Sequence, residues 1–143
     1  MKPAGSAKGF SLIELLLVLA ILGIIAGIAI PSYMGQRTRA RIIGDAEANT
    51  QVLRMQLEAY RADNGIYGAS GATYVWSGSG GLVSGGSAAT ALNFTPKNAS
   101  KMKYTAAISS AGLKYNITVV DPTTANMVVY KVNQAGSAWV AKY

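Results

Sequence analysis

The chain offers few residue types that do chemistry. Its 143 residues contain no Cys and no His, and the carboxylates number six: Glu14, Asp45, Glu47, Glu58, Asp63 and Asp121. Without His there is no Ser-His triad and no imidazole ligand. Without Cys there is no thiol nucleophile, no disulfide framework and no thiolate metal site. Six scattered carboxylates form no obvious acid/base pair. The composition points away from an enzyme, and neither a cofactor nor a metal is expected. Thirteen Lys and Arg against six acids give a formal charge of +7, which favours an anionic partner or surface.

One carboxylate stands out by its surroundings. Leu15 to Ile30 (LLLVLAILGIIAGIAI) carries no charge, and extending back to Phe10 adds only Ser11 and Glu14 as polar residues. As a helix this 21-residue stretch spans roughly 31 Å, the thickness of a bilayer core. A helix that is apolar all round needs cover on every side, and the rest of the chain is too small to give it. The run exceeds the apolar core of a secretory signal and lacks a convincing small-x-small cleavage site, so it is expected to stay in the chain. An acid there either sits at the interface or needs a partner.

The residues Lys8-Gly9-Phe10-Ser11-Leu12-Ile13-Glu14-Leu15-Leu16 resemble the class III signal of type IV pilins and pseudopilins. A short basic leader with Lys2 and Lys8 precedes the motif, and Gly23 and Pro31 follow within and after the apolar run. The resemblance implies cleavage between Gly9 and Phe10 by a prepilin peptidase, then methylation of the Phe10 amine. It implies that Glu14 pairs with the Phe10 amine of a neighbouring subunit. Such pairing would satisfy two charges that are each costly in a low-dielectric core, and would set the axial register. It also implies an inner-membrane precursor in a bacterium, handled by assembly machinery, and then an extracellular pilus or periplasmic pseudopilus. Counting flanking charges alone leaves orientation ambiguous, because Arg37, Arg39 and Arg41 follow the span. The cleavage motif places the leader in the cytoplasm.

Five segments are expected: a leader at 1–9, a hydrophobic helix at 10–32, an amphipathic helix at 33–64, a Gly/Ser-rich loop region at 65–101 and a sheet at 102–143. Pro31 predicts a kink, and Gly23 to Pro31 has the composition of a helix that can loosen in assembled relatives. Ile43, Ala46, Thr50, Leu53, Leu57 and Tyr60 recur at helical spacing and form the face that packs on a sheet. Val52, Met55 and Ala59 form a stripe beside it. Arg37, Arg41, Asp45, Glu47, Arg54, Glu58 and Arg61 fall on other faces, with local ion pairs expected. Arg37, Arg39 and Arg41 suit lipid contact or pairing with acids of neighbouring subunits.

Gly, Ser and Ala dominate residues 65–91, with one short strand expected near Thr73–Trp76. Beyond Lys101 the period is two. Met102–Ile108 and Leu113–Val119 read as a hairpin turning at Ser110-Ala111-Gly112, followed by strands at Met127–Val132 and Ala138–Lys142. The fold class is α+β: a long kinked helix, half membrane-spanning and half amphipathic, on an antiparallel sheet of about four strands. Many pilins close this region with a disulfide; here pairing and the packing of Trp139 and Tyr143 must hold the last strand.

Four readings follow. The first is a pilus subunit, expected to be a major one, that polymerises through its N-terminal helix for adhesion, motility or DNA uptake. A secretion pseudopilin is the alternative, disfavoured because its frequent C-terminal calcium site needs several acids and only Asp121 lies beyond residue 64. The other readings are a single-span membrane protein that never polymerises and a DNA-binding head. For the last, Lys101, Lys103, Lys114, Lys131 and Lys142 interleave with Tyr104, Tyr115, Tyr130, Trp139 and Tyr143. The opposing expectation is that these lysines only solvate the outer sheet face while the rings are core.

Overall fold

The computed structural model describes residues 9–78, 81–97, 101–109 and 111–141. Lys2, Lys8, Ser110, Lys142 and Tyr143 lie outside the described residues. The chain divides between Thr38 and Arg39.

One helix, α1, runs from Leu12 to Asn64. In the single chain it contains Pro31 and continues through Gly23 and Gly27. The pyrrolidine ring of a helical proline presses on the carbonyl four residues earlier. Here that residue is Gly27, next to which there is open space. Every residue from Gly9 to Arg41 is exposed. The segment that reads as membrane-spanning is therefore exposed throughout, and Ile24 and Ile28 are 68% and 75% exposed. An apolar surface of this extent requires lipid or other helices around it. α1 is a helix long and apolar enough to cross a membrane.

From Arg39 onward the unit has a core. The sheet comprises β1 (Thr73–Ser77), β2 (Gly81–Ser84), β3 (Lys103–Ser109), β4 (Lys114–Asp121), β5 (Met127–Asn133) and β6 (Ala138–Val140). Its order is β2-β1-β3-β4-β5-β6, and every neighbouring pair is antiparallel. The alternation of the sequence is kept: Tyr104, Ala106, Ile108, Tyr115, Ile117 and Val119 point inward. Their partners on the helix are Ala46, Thr50, Leu53 and Leu57, with Ile43 and Tyr60 at the margins. The predicted stripe is thus the packed face. A register shift between Val119 and Val120 lets two consecutive residues of β5, Val129 and Tyr130, both be buried. The neighbouring stripe of Val52 and Met55 stays 47% and 72% exposed.

The strand count differs from expectation because the Gly/Ser-rich region is more ordered than its composition implies. β1 and β2 extend the sheet from within it, and a short helix, α2 (Gly86–Ala91), follows. Large rings explain the order. Trp76 packs edge-on against Tyr74 and Phe94, with centroids 6.2 and 5.4 Å apart, and Phe94 continues to Tyr104 at 5.6 Å. Two glycines make room for them. A Cβ on Gly68 would overlap the Tyr74 hydroxyl, and one on Gly85 would lie 2.5 Å from Ala89 Cβ and 2.8 Å from Tyr74 Cδ1. Both have positive φ as well, which other residues adopt only at a cost.

Of the devices expected to hold the last strand, pairing is present and the packing of Trp139 is not. Trp139 is 51% exposed and does not pack into the core. β6 is fixed by its ladder to β5 and by the Ala141 N–H, which donates to Val129 O at 2.9 Å. Trp139 pairs with Lys131, which faces away from the helix, so alternation sends the indole outward too.

Candidate functional site

The helix start carries a local arrangement that its sequence spells out. Ser11 precedes α1, and its Oγ accepts from the Ile13 N–H at 3.3 Å. Glu14 reaches back, and its Oε2 accepts from the Ser11 N–H at 2.8 Å. This is a variant of the capping box: Glu14 satisfies the Ser11 N–H, and the Ser11 hydroxyl satisfies that of Ile13, one residue before the usual position. The acid also sits in the first turn, where the helix dipole favours negative charge. The pattern Ser11-Leu12-Ile13-Glu14 is the sequence signal for it, and reading Glu14 only as an intermolecular partner passes over it. In the single chain, then, Glu14 has a hydrogen-bond donor of its own. Phe10 is 84% exposed, and around Gly9 there is open space.

The arginines following the apolar run lie on exposed helix. Arg41 Nε approaches Asp45 Oδ2 at 3.8 Å, an ion pair of the predicted kind. Further along, the expected pairing of Glu58 with Arg54 and Arg61 takes another form. The Tyr67 hydroxyl donates to both Glu58 oxygens at 2.8 and 2.9 Å, and Tyr115 donates to Oε1 at 3.3 Å. Arg61 donates to the Tyr67 hydroxyl at 3.0 Å and Arg54 to that of Tyr115 at 3.3 Å. The two rings meet edge to face at 4.7 Å. Burial first, then the Glu58 carboxylate, pushes Tyr67 above the ordinary phenol range, and burial raises Tyr115. One helical carboxylate thus fastens both the loop after α1 and strand β4.

A second anchor is Asn49. Its amide donates to Lys97 O at 2.6 Å and to the Tyr104 hydroxyl at 3.1 Å, while its Oδ1 accepts from the Lys97 N–H at 2.8 Å. Burial pushes Tyr104 up to about 12. Sequence periodicity missed Asn49, because a polar residue on an apolar face has no periodic signal.

Asp121, the acid beyond residue 64, is buried and closes the β4–β5 turn. Its Oδ1 accepts from the Thr123 N–H at 2.8 Å and hydroxyl at 2.6 Å, and its Oδ2 from the Thr124 hydroxyl at 3.2 Å. Burial alone would raise its pKa; these bonds and the nearby Lys101 charge outweigh that and hold it below the usual value. A depressed folded pKa stabilises above the unfolded value of 3.8, and the benefit vanishes as pH falls through the folded pKa. Asp121→Asn should therefore lower stability by about 1 kcal/mol at pH 7. The gap to the parent should narrow as pH falls from 7 to below 3.8 and through the lowered folded pKa, as followed by thermal unfolding across that range. Among the described residues no group of three His, Cys, Asp or Glu converges as a metal site. A cavity of about 510 Å³ lies between the end of α1 and α2, and Asp63 is the one carboxylate lining it.

The lysines and rings singled out for nucleic acid separate. Tyr104, Tyr115 and Tyr130 are core residues, so they offer no stacking surface. Lys101, Lys103, Lys114 and Lys131 are exposed.

Comparison with known proteins agrees with the motif at the helix start. The prokaryotic N-terminal methylation motif matches residues 5–30. The type IV wide pilus major component PilA4 of Thermus thermophilus is 33% identical over 132 residues, covering 91% of each chain. The chain belongs to the type IV pilin family. Two further matches are shorter. The type II secretion system core protein G of Klebsiella michiganensis is 34% identical over 65 residues, 43% of each chain. The type IV major pilin PilE of Neisseria gonorrhoeae is 37% identical over 60 residues, 42% of this chain and 35% of its own. The chain thus spans less than half the length of the secretion relatives it matches. No solved structure matches it.

The matched motif contains Gly9 and Phe10, and the capping arrangement of Ser11 and Glu14 begins directly after them. The membrane-anchored precursor expected of the family fits the uncovered apolar part of α1.

Proposed function

We propose that this pilin is the structural, major subunit of a type IV pilus. One observation carries this over the secretion alternative. Similarity to a wide-pilus component extends over 91% of the chain, whereas the secretion proteins match less than half of it. Use of Asp121 inside its own turn, with no second acid beyond residue 64, also argues against a calcium-bearing pseudopilin head.

The mechanism follows from the two halves of α1. A prepilin peptidase cuts after Gly9 and the Phe10 amine is methylated. Removing nine of 143 residues leaves 134, and Lys2 and Lys8 leave with the leader. In the inner membrane, lipid covers the apolar helix. On assembly, neighbouring helices replace lipid, and the Phe10 ammonium of one subunit meets Glu14 of the next. Arg37, Arg39 and Arg41 then lie at the edge of the helical core, where lipid headgroups give way to acids of neighbours. The product is a helical homopolymer outside the cell, suited to adhesion, motility or DNA uptake.

Mass spectrometry of filaments sheared from cells tests this. The expected species begins at N-methylated Phe10. A chain retaining Met1 to Gly9, or one cut after the apolar run, would overturn the reading.

A further inference from the structure

The outward face of the sheet carries lysines and no acid. Register places Val75, Thr105, Thr118, Lys131 and Trp139 in one row across five strands. Beside it run Ser77, Lys103 and Val120, and on the other side Thr73, Ala107, Asn116 and Asn133. Lys114 pairs with Ser109 at the far end. No outward position on any strand carries an acid, because the single carboxylate beyond residue 64 is buried in its turn. The face is therefore positive without internal compensation. Lys103 and Lys131 stand two strands and two residues apart, roughly 12 Å between Cα atoms.

Three features select the partner. The charge calls for an anion. The positions between the lysines are Thr and Asn, which both donate and accept hydrogen bonds. A phosphodiester backbone accepts only, whereas a sugar ring offers hydroxyls that do both. Finally, a single ring is exposed on this face. Single-stranded nucleic acid is held by stacking of successive bases, and the tyrosines that would serve are buried. One indole beside one lysine fits one pyranose ring with its acidic group.

We infer that the outer sheet face, through Lys103, Lys114, Lys131 and Trp139, binds an acidic polysaccharide of the uronate class. The site belongs to the single subunit and does not rest on filament formation. Full-length chain in non-ionic detergent is titrated with alginate, with neutral dextran and with a single-stranded oligothymidylate. Alginate should bind, weakening steeply with salt because the lysine contacts are exposed. The combined Lys103→Gln, Lys114→Gln and Lys131→Gln variant should bind about tenfold more weakly, and Trp139→Ala several-fold more weakly. Unchanged thermal unfolding identifies variants that remain folded. Equal binding of dextran, tighter binding of the oligonucleotide, or folded variants that bind alginate as the parent does would each overturn the inference.

Discussion

Replacing Glu14 by glutamine should leave the chain folded and inserted in the membrane but unable to form filaments. Glutamine at this position still accepts from the Ser11 N–H, since the capping box works with Glu or Gln. What it loses is the negative charge. If Glu14 acted only as a cap, Glu14→Gln would assemble as the parent does, and Glu14→Ala would cost about 1 kcal/mol at the helix start. If it neutralises a neighbour's Phe10 ammonium in a dry helical core, removing one partner leaves an uncompensated buried charge, at a cost of about 3–5 kcal/mol per interface. Repeated along a polymer, that stops growth. The measurement is filament yield after shearing, set against membrane-fraction protein. The expected result is a fall of at least tenfold for both variants with equal membrane content. Normal filament yield from Glu14→Gln would assign the residue to capping alone. The capping bond also implies an order of events. If the pairing forms, Glu14 is held by its own chain until a neighbour arrives, and the amine then has to compete with the Ser11 N–H for it.

The second large effect is expected at Glu58. The pilin head has no cysteine, so the disulfide that many relatives use has no counterpart. Glu58 substitutes for part of that constraint. It receives the hydroxyls of Tyr67, in the loop after α1, and of Tyr115, on β4. Both rings are at most 1% exposed. Removing the carboxylate leaves those hydroxyls with only Arg61 and Arg54, which are donors and cannot accept their protons. Hydrogen bonds to charged groups contribute about 1.5–3 kcal/mol, and the solvent exposure of Glu58 argues for the lower part per bond. Glu58→Ala should therefore cost about 3 kcal/mol, within the range for losing a disulfide. That corresponds to a fall in melting temperature on the order of 10 °C. Tyr67→Phe and Tyr115→Phe should each cost less, because they remove donor and need together. A double-mutant cycle between Glu58→Ala and Tyr67→Phe should show coupling of at least about 1 kcal/mol. A melting temperature within 2 °C of the parent for Glu58→Ala would remove the clamp from the account.

These two residues differ in how far the sequence announces them. Glu14 is conspicuous because a charge in an apolar run contrasts with its neighbours, and Ser11 three residues earlier completes a local pattern. Glu58 looks like any acid on a solvated helix face, flanked by arginines at helical spacing. Its true partners come from residues 9 and 57 positions further on, and no local pattern encodes them. Asn49 reaching Lys97 is hidden for the same reason.

The sequence by itself determined the elements whose cause is local. Hydropathy marks the apolar helix, 3.6-residue spacing marks the face through Leu53 and Leu57, and two-residue alternation marks β3 and β4. The tertiary structure decided what depends on distant partners. It ordered the Gly/Ser-rich region, because Tyr74 and Trp76 find a core only once Phe94 and Tyr104 are brought beside them. It sent Trp139 outward, because strand register assigns a face and composition does not. It separated the lysines from three of the rings they alternate with, since successive residues of a strand point to opposite sides. Local periodicity is written in the chain; the pairing of faces is settled only when the sheet closes over the helix.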